Sequence, residues 1–363
     1  MAAPALQPIV IWFGRVGDMI LLSALLGVLH HRFGGRCYVI GAGSWPAELY
    51  AAHADVARVE CLRRYTLGPL DANWWRALRQ LRARRGAPVY VCEFDVKKLA
   101  RVRRLLAASG TDPAHCLYLT QTASWQQQHW VDRLVSFGRL TPPALDAAAY
   151  PWPSAAPRCA PHLEVAPSAA AACDAWLAAR GLAGAPLVLL QPGNRRTMRG
   201  RRLRLAADDD RAWPVERWAQ LAQRLHAQLP AARIVLCGAP REALLLQWIM
   251  QAARLPALTS AELPLPRLLA LCARAHSMIS VNTGPAHLAA AVSLPVVVLF
   301  GAQQQSEWLP RSPGGSAVIG LGGLPETGRI DALSVERVFA AWCALPPRAS
   351  APAARPAAPA TAP

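Results

Sequence analysis

At 363 residues the chain is long for one hydrophobic core and comfortable for two, and a content of 53% hydrophobic against 17% charged residues excludes a disordered polyelectrolyte. The net charge of +17 is spread over both halves and calls for an anionic partner or surface, although no helix-turn-helix, zinc-finger or RNP pattern supports specific nucleic-acid binding. Nine scattered cysteines without a CxxC pair or a Cys/His cluster at metal spacing argue against a disulfide framework or structural zinc and for a reducing, cytoplasmic setting.

The N-terminus carries no basic residue ahead of an apolar core, so no secretory signal is expected, and the apolar stretch 19–29 is too short to span a bilayer. Residues 8–13 read as a strand, Gly14-Arg15-Val16-Gly17-Asp18 as a turn, and 19–32 as a helix. The pattern repeats: strand 37–41 before helix 46–53, strand 56–62 before helix 72–85, strand 88–94 before helix 96–108, and strand 116–119 before helix 124–137. Strands alternating with helices predict an α/β domain with a parallel sheet covered on both faces.

Between 141 and 167 seven prolines dissolve the periodicity into a linker. A helix at 168–180 restarts the alternation, with strands at 187–191, 233–237, 278–281 and 295–300 and helices at 214–229, 242–253, 266–275, 286–292 and 334–344. Two Rossmann-like domains are therefore expected, 1–165 and 166–344, followed by a disordered Pro/Ala tail at 345–363. Such domains bind ligands beyond the carboxyl ends of their strands, so the chemistry belongs in the cleft where the two sheets face each other.

Several turns carry groups suited to a phosphorylated ligand. In Ser280-Val281-Asn282-Thr283-Gly284-Pro285-Ala286-His287 a strand ends and a helix begins. Thr283 is placed to cap the helix, Gly284 admits close backbone approach, and the free amides with the helix dipole favour an anion, with His287 one turn in. Asp18 is either a proton acceptor at the cleft or a helix-capping carboxylate. Arg211, just before Trp213-Pro214, suits a diphosphate, and Glu242, after Cys237-Gly238-Ala239-Pro240-Arg241, suits ribose or sugar hydroxyls, although a first-turn Glu also answers the helix dipole. The loop between Asn194 and Asp210, with its arginines and the acidic run 208–210, reads mostly as a solvated charge run.

These blocks, together with Gln191-Pro192-Gly193, Val215-Glu216-Arg217-Trp218, Leu288-Ala289-Ala290 and Val298-Leu299-Phe300-Gly301, resemble glycosyltransferase family 9, which contains the bacterial lipopolysaccharide heptosyltransferases. The match extends over most of residues 8–344 and is loosest at 86–165, where His129-Trp130-Val131-Asp132-Arg133 is its best point. The resemblance implies a GT-B fold, an acceptor-binding first domain, a nucleotide-sugar-binding second domain and inverting, metal-independent transfer without a cofactor. It implies Asp18 as general base, Gly14, Arg15 and Gly17 on the acceptor side, and Arg211, Glu242, Asn282, Thr283, Gly284 and His287 at the donor, joined by Asn194 and Gly238. The expected donor is an ADP-linked heptose and the expected acceptor an anionic lipid-linked glycan, reached by peripheral contact with the inner face of the cytoplasmic membrane. Two features depart from the family: Asn282 stands where an Asp is usual, and the loop 194–210 is longer and more basic. A nucleotide-sugar epimerase, or a degenerate transferase that only binds nucleotide sugar or anionic glycan, are the alternatives.

Overall fold

The computed structural model describes residues 4–63, 68–122, 128–153, 159–199, 202–203, 209–256 and 258–348. The first half holds β1 (Ile9–Ile11), α1 (Val16–Phe33), β2 (Cys37–Ala42), α2 (Trp45–Leu49), β3 (Val56–Leu62), α3 (Ala72–Arg82), β4 (Val89–Val91), α4 (Val96–Ser109), β5 (Cys116–Tyr118) and α5 (Trp130–Arg139). After α6 (Pro167–Ala178) come β6 (Leu187–Gln191), the two-stranded hairpin β7 (Met198–Arg199) and β8 (Arg202–Leu203), α7 (Val215–Gln228), β9 (Arg233–Gly238), α8 (Ala243–Ala253), β10 (Leu258–Glu262) and α9 (Leu265–Arg274). The chain continues through β11 (Ser277–Val281), α10 (Gly284–Ala291), β12 (Val296–Phe300), α11 (Gln305–Trp308), β13 (Val318–Gly322) and α12 (Val335–Cys343).

Two parallel sheets result, ordered β3-β2-β1-β4-β5 and β10-β9-β6-β11-β12-β13. β1, β2, β4, β6, β11 and β12 are buried at every residue, as strands covered by helices on both faces must be. In each sheet the chain first runs outward one way and then returns to build the other side. This places topological switch points between β1 and β4 and between β6 and β11, where open α/β sheets leave a crevice.

One continuous apolar cluster crosses from one sheet system to the other. Leu21, Leu25 and Leu29 of α1 share it with Ala286, Ala289 and Ala290 of α10 and with Leu268 and Leu271 of α9. The small side chains on α10 let α1 approach closely. α1 is 18 residues long and apolar enough on length and composition alone to cross a membrane, and 67% of it is buried inside the fold. It is the central helix of the molecule, which explains why it is apolar nearly all round.

The alternating pattern of strand and helix matches the expected one, with differences at the ends. α1 starts three residues before the predicted helix, so Asp18 lies within its first turn instead of in the preceding loop. β10, β13 and the β7–β8 hairpin were not anticipated: β13 is half glycine and half aliphatic, and the hairpin strands are two residues each, too short for a period. The α2 helix ends at Leu49, short of the predicted 53. Helix α5 starts at Trp130, capped by His129, and of the residues expected to precede it 124–127 lie outside those described. Of the tail expected to be disordered, residues 345–348 are ordered, with Arg348 donating to the carbonyls of Ala273, at 2.6 Å, and Val292; residues 349–363 lie outside those described.

The proline-rich segment is pinned by a buried arginine. Arg32, at the end of α1, donates to the carbonyl oxygens of Tyr150 (2.9 Å), Gly138 (2.8 Å) and Leu140 (2.9 Å) and to the Thr141 hydroxyl. Replacing it strands these buried acceptors. Arg32→Ala is expected to cost about 3–5 kcal/mol in urea unfolding, as removal of one partner from a buried charged network does; a loss under about 0.5 kcal/mol would show that the segment is held by apolar packing instead.

Candidate functional site

A cleft of about 580 Å3 opens over both switch points. From the first half it is lined by Arg15, Val16, Gly17 and Asp18 at the start of α1 and by Trp45 at the start of α2. From the second half come Gln191, Gly193 and Asn194 after β6, Gly238, Ala239, Arg241 and Glu242 after β9, Asn282 to Pro285 and His287 after β11, and Gln303 after β12. Each of these residues lies at or just beyond the carboxyl end of a strand, which is why segments distant in sequence converge.

Two helix N-termini meet here. A Cβ built on Gly284 would lie 3.3 Å from the Gly17 amide nitrogen and 3.4 Å from Val16 Cβ, and one on Gly17 would lie 3.6 Å from Gly284 Cα. Glycine at both positions allows the backbone of α1 and the backbone of α10 to come into contact. Both macrodipoles then present their positive ends to one space. Thr283 occupies the cap position of α10 in extended conformation, but against expectation its side chain makes no capping hydrogen bond.

Asp18 lies in this wall with one oxygen committed: Oδ2 accepts the Arg15 amide at 2.7 Å. Asp18 thus answers the helix N-terminus through Oδ2 and is also one of the residues lining the cleft. Burial pushes its carboxyl above the usual range, opposed by that amide bond and by the charges of Arg15 and Lys98. Gly14, expected on the acceptor side, does not line the cleft. Its carbonyl accepts Trp45 Nε1 at 3.2 Å, and a Cβ there would sit 2.7 Å from Asp18 Cβ, so it makes room for the aspartate instead.

Glu242 is buried against Gly193, where a Cβ would stand 2.6 Å from its Oε1, and its Oε2 accepts the Ala239 amide at 2.8 Å. Burial raises its carboxyl as well. His287 is buried and therefore held neutral, its pKa lowered to about 3 by desolvation and then by His129, and its Nδ1 has no hydrogen-bond partner. It can donate or accept one hydrogen bond at the cleft; it is not a cation there. Arg211 Nη1 donates to the Asn282 carbonyl at 3.2 Å, while its buried Nε is also without a partner. Two orphaned polar atoms on residues lining one cleft mark a place where a polar ligand completes the hydrogen bonding. Asn282 Nδ2 donates to Gln303 Oε1 at 2.6 Å, so its side chain is held by a neighbour that also lines the cleft.

In the basic loop Arg195, Arg196 and Arg202 are exposed, as expected of a solvated run. Arg195 and Arg196 line the cleft with Arg15, Arg211 and Arg241. The pKa of Arg195 is lowered first by Arg15 across the cleft and then by burial and the other three, the signature of like charges gathered around one opening. Arg201, Arg204 and Asp208 lie outside the described residues. Asp209 is buried: its Oδ2 accepts Asn194 Nδ2 at 3.2 Å and its Oδ1 accepts the Arg211 amide at 3.3 Å. Asp210 accepts the Ala302 amide at 2.7 Å. These carboxylates hold the donor-side turns together, and only their place directly before the Arg211-Ala212-Trp213-Pro214 block could have signalled it. Trp45, Trp308, Gln303 and Arg241 also line the cleft without having been singled out from the sequence; an isolated tryptophan carries no spacing signal.

Two Rossmann-like domains facing each other across a cleft, with a turn and a helix N-terminus at each switch point, define the GT-B class of fold. The sequence profile of glycosyltransferase family 9 (heptosyltransferase) matches residues 152–328, the second domain with the segment leading into it, and this match supports a glycosyltransferase. Among solved structures it is similar to a family 9 glycosyl transferase from Veillonella parvula (TM-score 0.73, 14% identity, 94% of this chain and 97% of that one). It is also similar to ADP-heptose lps heptosyltransferase II of E. coli (0.68, 18%, 93% and 98%) and to E. coli heptosyltransferase WaaC with ADP (0.61, 20%, 93% and 98%). No curated protein matches the sequence.

Asp209→Ala leaves the Asn194 amide and the Arg211 backbone without their acceptor. It is expected to destabilise the fold by about 1–3 kcal/mol in urea unfolding and to weaken nucleotide binding by displacing Arg211; unchanged values of both would remove its positioning role.

Proposed function

We propose that the protein is an inverting glycosyltransferase that moves a heptose from an ADP-linked donor onto an anionic, lipid-linked glycan of the lipopolysaccharide-core type. The observation that carries this reading is that a raised-pKa carboxylate, Asp18, and an anion-binding turn with Arg211 line one cleft from opposite domains. The proteins of similar fold include one solved with ADP and one with ADP-2-deoxy-2-fluoro heptose, which supports the choice of donor class.

In this reading the nucleotide lies on the second domain, with its base against the apolar Leu263 and Leu265, ribose hydroxyls at Glu242, and the diphosphate over the Thr283-Gly284 turn. An acceptor hydroxyl over the first domain attacks the anomeric carbon from the face opposite the diphosphate. A C–O bond forms to the acceptor, the bond from the anomeric carbon to phosphate oxygen breaks, and the hydroxyl proton passes to the uncommitted oxygen of Asp18. A positioned base contributes about 10²- to 10⁴-fold. The departing diphosphate gains negative charge, and the paired helix ends with Arg211, Arg195 and Arg196 stabilise it without requiring a divalent ion. Neutral His287 supplies one hydrogen bond. Asn282, held by Gln303, orients the sugar by hydrogen bonding where the family commonly uses a charge. The overall +17 charge suits an anionic acceptor on the inner face of the cytoplasmic membrane, with attraction that weakens as salt rises.

Asp18→Ala is expected to retain nucleotide binding, read by thermal shift, while lowering kcat at least about 100-fold; equal loss of binding and turnover would count against Asp18 as base. Because its pKa is raised and the base must be ionised, activity is lost as pH falls through that raised value. The acid limb of kcat/KM should therefore lie above the range of an ordinary aspartate. A limb at or below pH ~4, the value of an unperturbed carboxylate, would place the base elsewhere. A thermal-shift screen with ADP-, UDP- and GDP-sugars, each with and without EDTA, tests donor and metal together: stabilisation by an ADP-sugar that survives EDTA is expected. Stabilisation by polyanions and by none of the nucleotide sugars would overturn the transferase reading in favour of a glycan-binding protein.

A further inference from the structure

Away from the cleft, three histidines surround one aspartate where the interdomain segment leaves the first domain. Asp55, between α2 and β3, meets His30 Nδ1 at 2.7 Å through Oδ1 and His162 Nε2 at 3.0 Å through Oδ2. His53 Nδ1 stands 3.9 Å from the same Oδ2, and the His53 and His162 rings are 4.6 Å apart. The His53 side chain is fully buried, and those of Asp55 and His162 are 16% and 13% exposed.

His53 Nε2 lies 3.1 Å from the His162 carbonyl oxygen, an acceptor only, so the ring proton is on Nε2 and Nδ1 carries a lone pair. That lone pair accepts the Asp55 amide at 3.2 Å, a bond that an ion at Nδ1 would replace. His162 Nε2 donates its proton to Asp55 Oδ2 while its Nδ1 has no partner, so a dication taking the place of that proton leaves the ring proton on the free Nδ1. A histidine whose far nitrogen donates to a backbone carbonyl is also the usual setting of a metal-binding imidazole. His30 does the same for the carboxylate, fixing Oδ1 and leaving Oδ2 to the cluster. Room is provided by Gly27 in the middle of α1: a Cβ there would lie 3.2 Å from Asp55 Oδ2 and 3.4 Å from His162 Cε1. A mid-helix glycine costs about 0.5–1 kcal/mol relative to alanine, and here the space it opens is at the cluster. Arg36, the nearby guanidinium, donates to the carbonyls of His53 and Val56 and does not enter the cluster.

We propose that His53 Nδ1, Asp55 Oδ2 and His162 Nε2 form a binding site for a transition-metal dication of the Zn2+ type. The three atoms lie within 4.8 Å of one another. Tetrahedral Zn2+ with bonds of about 2.0–2.1 Å sets its ligand atoms about 3.3–3.4 Å apart, inside the observed spread. Two imidazoles with one carboxylate suit Zn2+ or Co2+ and disfavour Mg2+ and Ca2+, which take all-oxygen shells. None of the three residues lines the transfer cleft, so the ion takes no part in the chemistry proposed above. Its role is mechanical. His162 belongs to the segment entering the second domain, its own amide donates to Ser23 Oγ of α1 at 3.0 Å, and the next amide, Leu163, donates to the Ala291 carbonyl at the end of α10. An ion holding His162 to His53 and Asp55 fastens that crossing to the first domain.

The test is a Co2+ titration of the full chain after chelator treatment, read by visible absorption and by melting temperature. The expected result is one Co2+ per chain with tetrahedral d–d bands and no thiolate charge-transfer band, and a melting temperature raised by roughly 3–4 °C once the ion exceeds its Kd a hundredfold. His162→Gln should weaken this binding at least ~100-fold and Asp55→Asn likewise. Should Asp55→Asn fail to fold, His162→Gln and the wild-type spectrum still decide. The proposal is overturned if wild type takes up no Co2+, if the bound ion shows only cysteine ligation, or if His162→Gln binds as wild type does.

Discussion

The contact between the first turns of α1 and α10 organises this molecule. Two positive helix ends at van der Waals distance repel each other, and five arginines around the same opening add to the potential. An empty cleft of this kind is electrostatically costly; an anion bound in it relieves the repulsion and gains hydrogen bonds from both domains at once. The cost is met by the apolar cluster beneath, where α1 packs on α10 and α9. Hydrophobic contact below and like charge above are two sides of one interface, and the second is possible only because of the first.

That same cluster limits how the domains move. Separating them at the base would expose aliphatic surface shared by both sheets, so wide hinge opening is disfavoured. The far edge is held by polar contacts instead: Arg311 donates to both oxygens of Asp132 at 2.6 and 2.7 Å, His129 Nε2 bonds the Leu309 carbonyl at 2.8 Å, and Trp130 packs on Trp308 with ring centroids 5.3 Å apart. Contacts of this kind, half-exposed and near the surface, exchange with water at little net cost. Adjustment of the cleft on binding therefore belongs to its rim and not to its base. The residues 129–133, where the sequence resembles the family best in an otherwise loose region, are the first domain's share of this edge.

Legibility in the sequence followed the length and regularity of each element. The strands of five or more aliphatic residues and the helices with a clear apolar face were readable because period and burial coincide. β13, with two glycines in five residues, Gly320 and Gly322, and the two-residue hairpin strands carry no such period. Of the cleft, the turns with glycine or proline punctuation were readable: Gly17-Asp18, Gly238 to Glu242 and Asn282 to His287 do meet. Asp209 is buried where a solvated run was expected, and the exposed Arg195 and Arg196 stand at the cleft mouth, because a run of charges in a loop looks the same whether it faces open water or a cleft.

The sequence by itself determined a two-domain α/β protein with glycine- and proline-punctuated turns at its strand ends, since periodicity and turn chemistry are local and survive without neighbours, and the resemblance of those turns to a family added the transferase reading. Only the tertiary structure decided what those groups are. It made His287 neutral through burial, split Asp18 between capping and the cleft, withdrew Gly14 from the site, and brought Arg15 against Arg195 across the domain boundary. It also gathered His53 and Asp55 with His162, more than 100 residues further along the chain. Protonation, desolvation and charge proximity depend on distances in space, and the order of residues along a chain does not contain them.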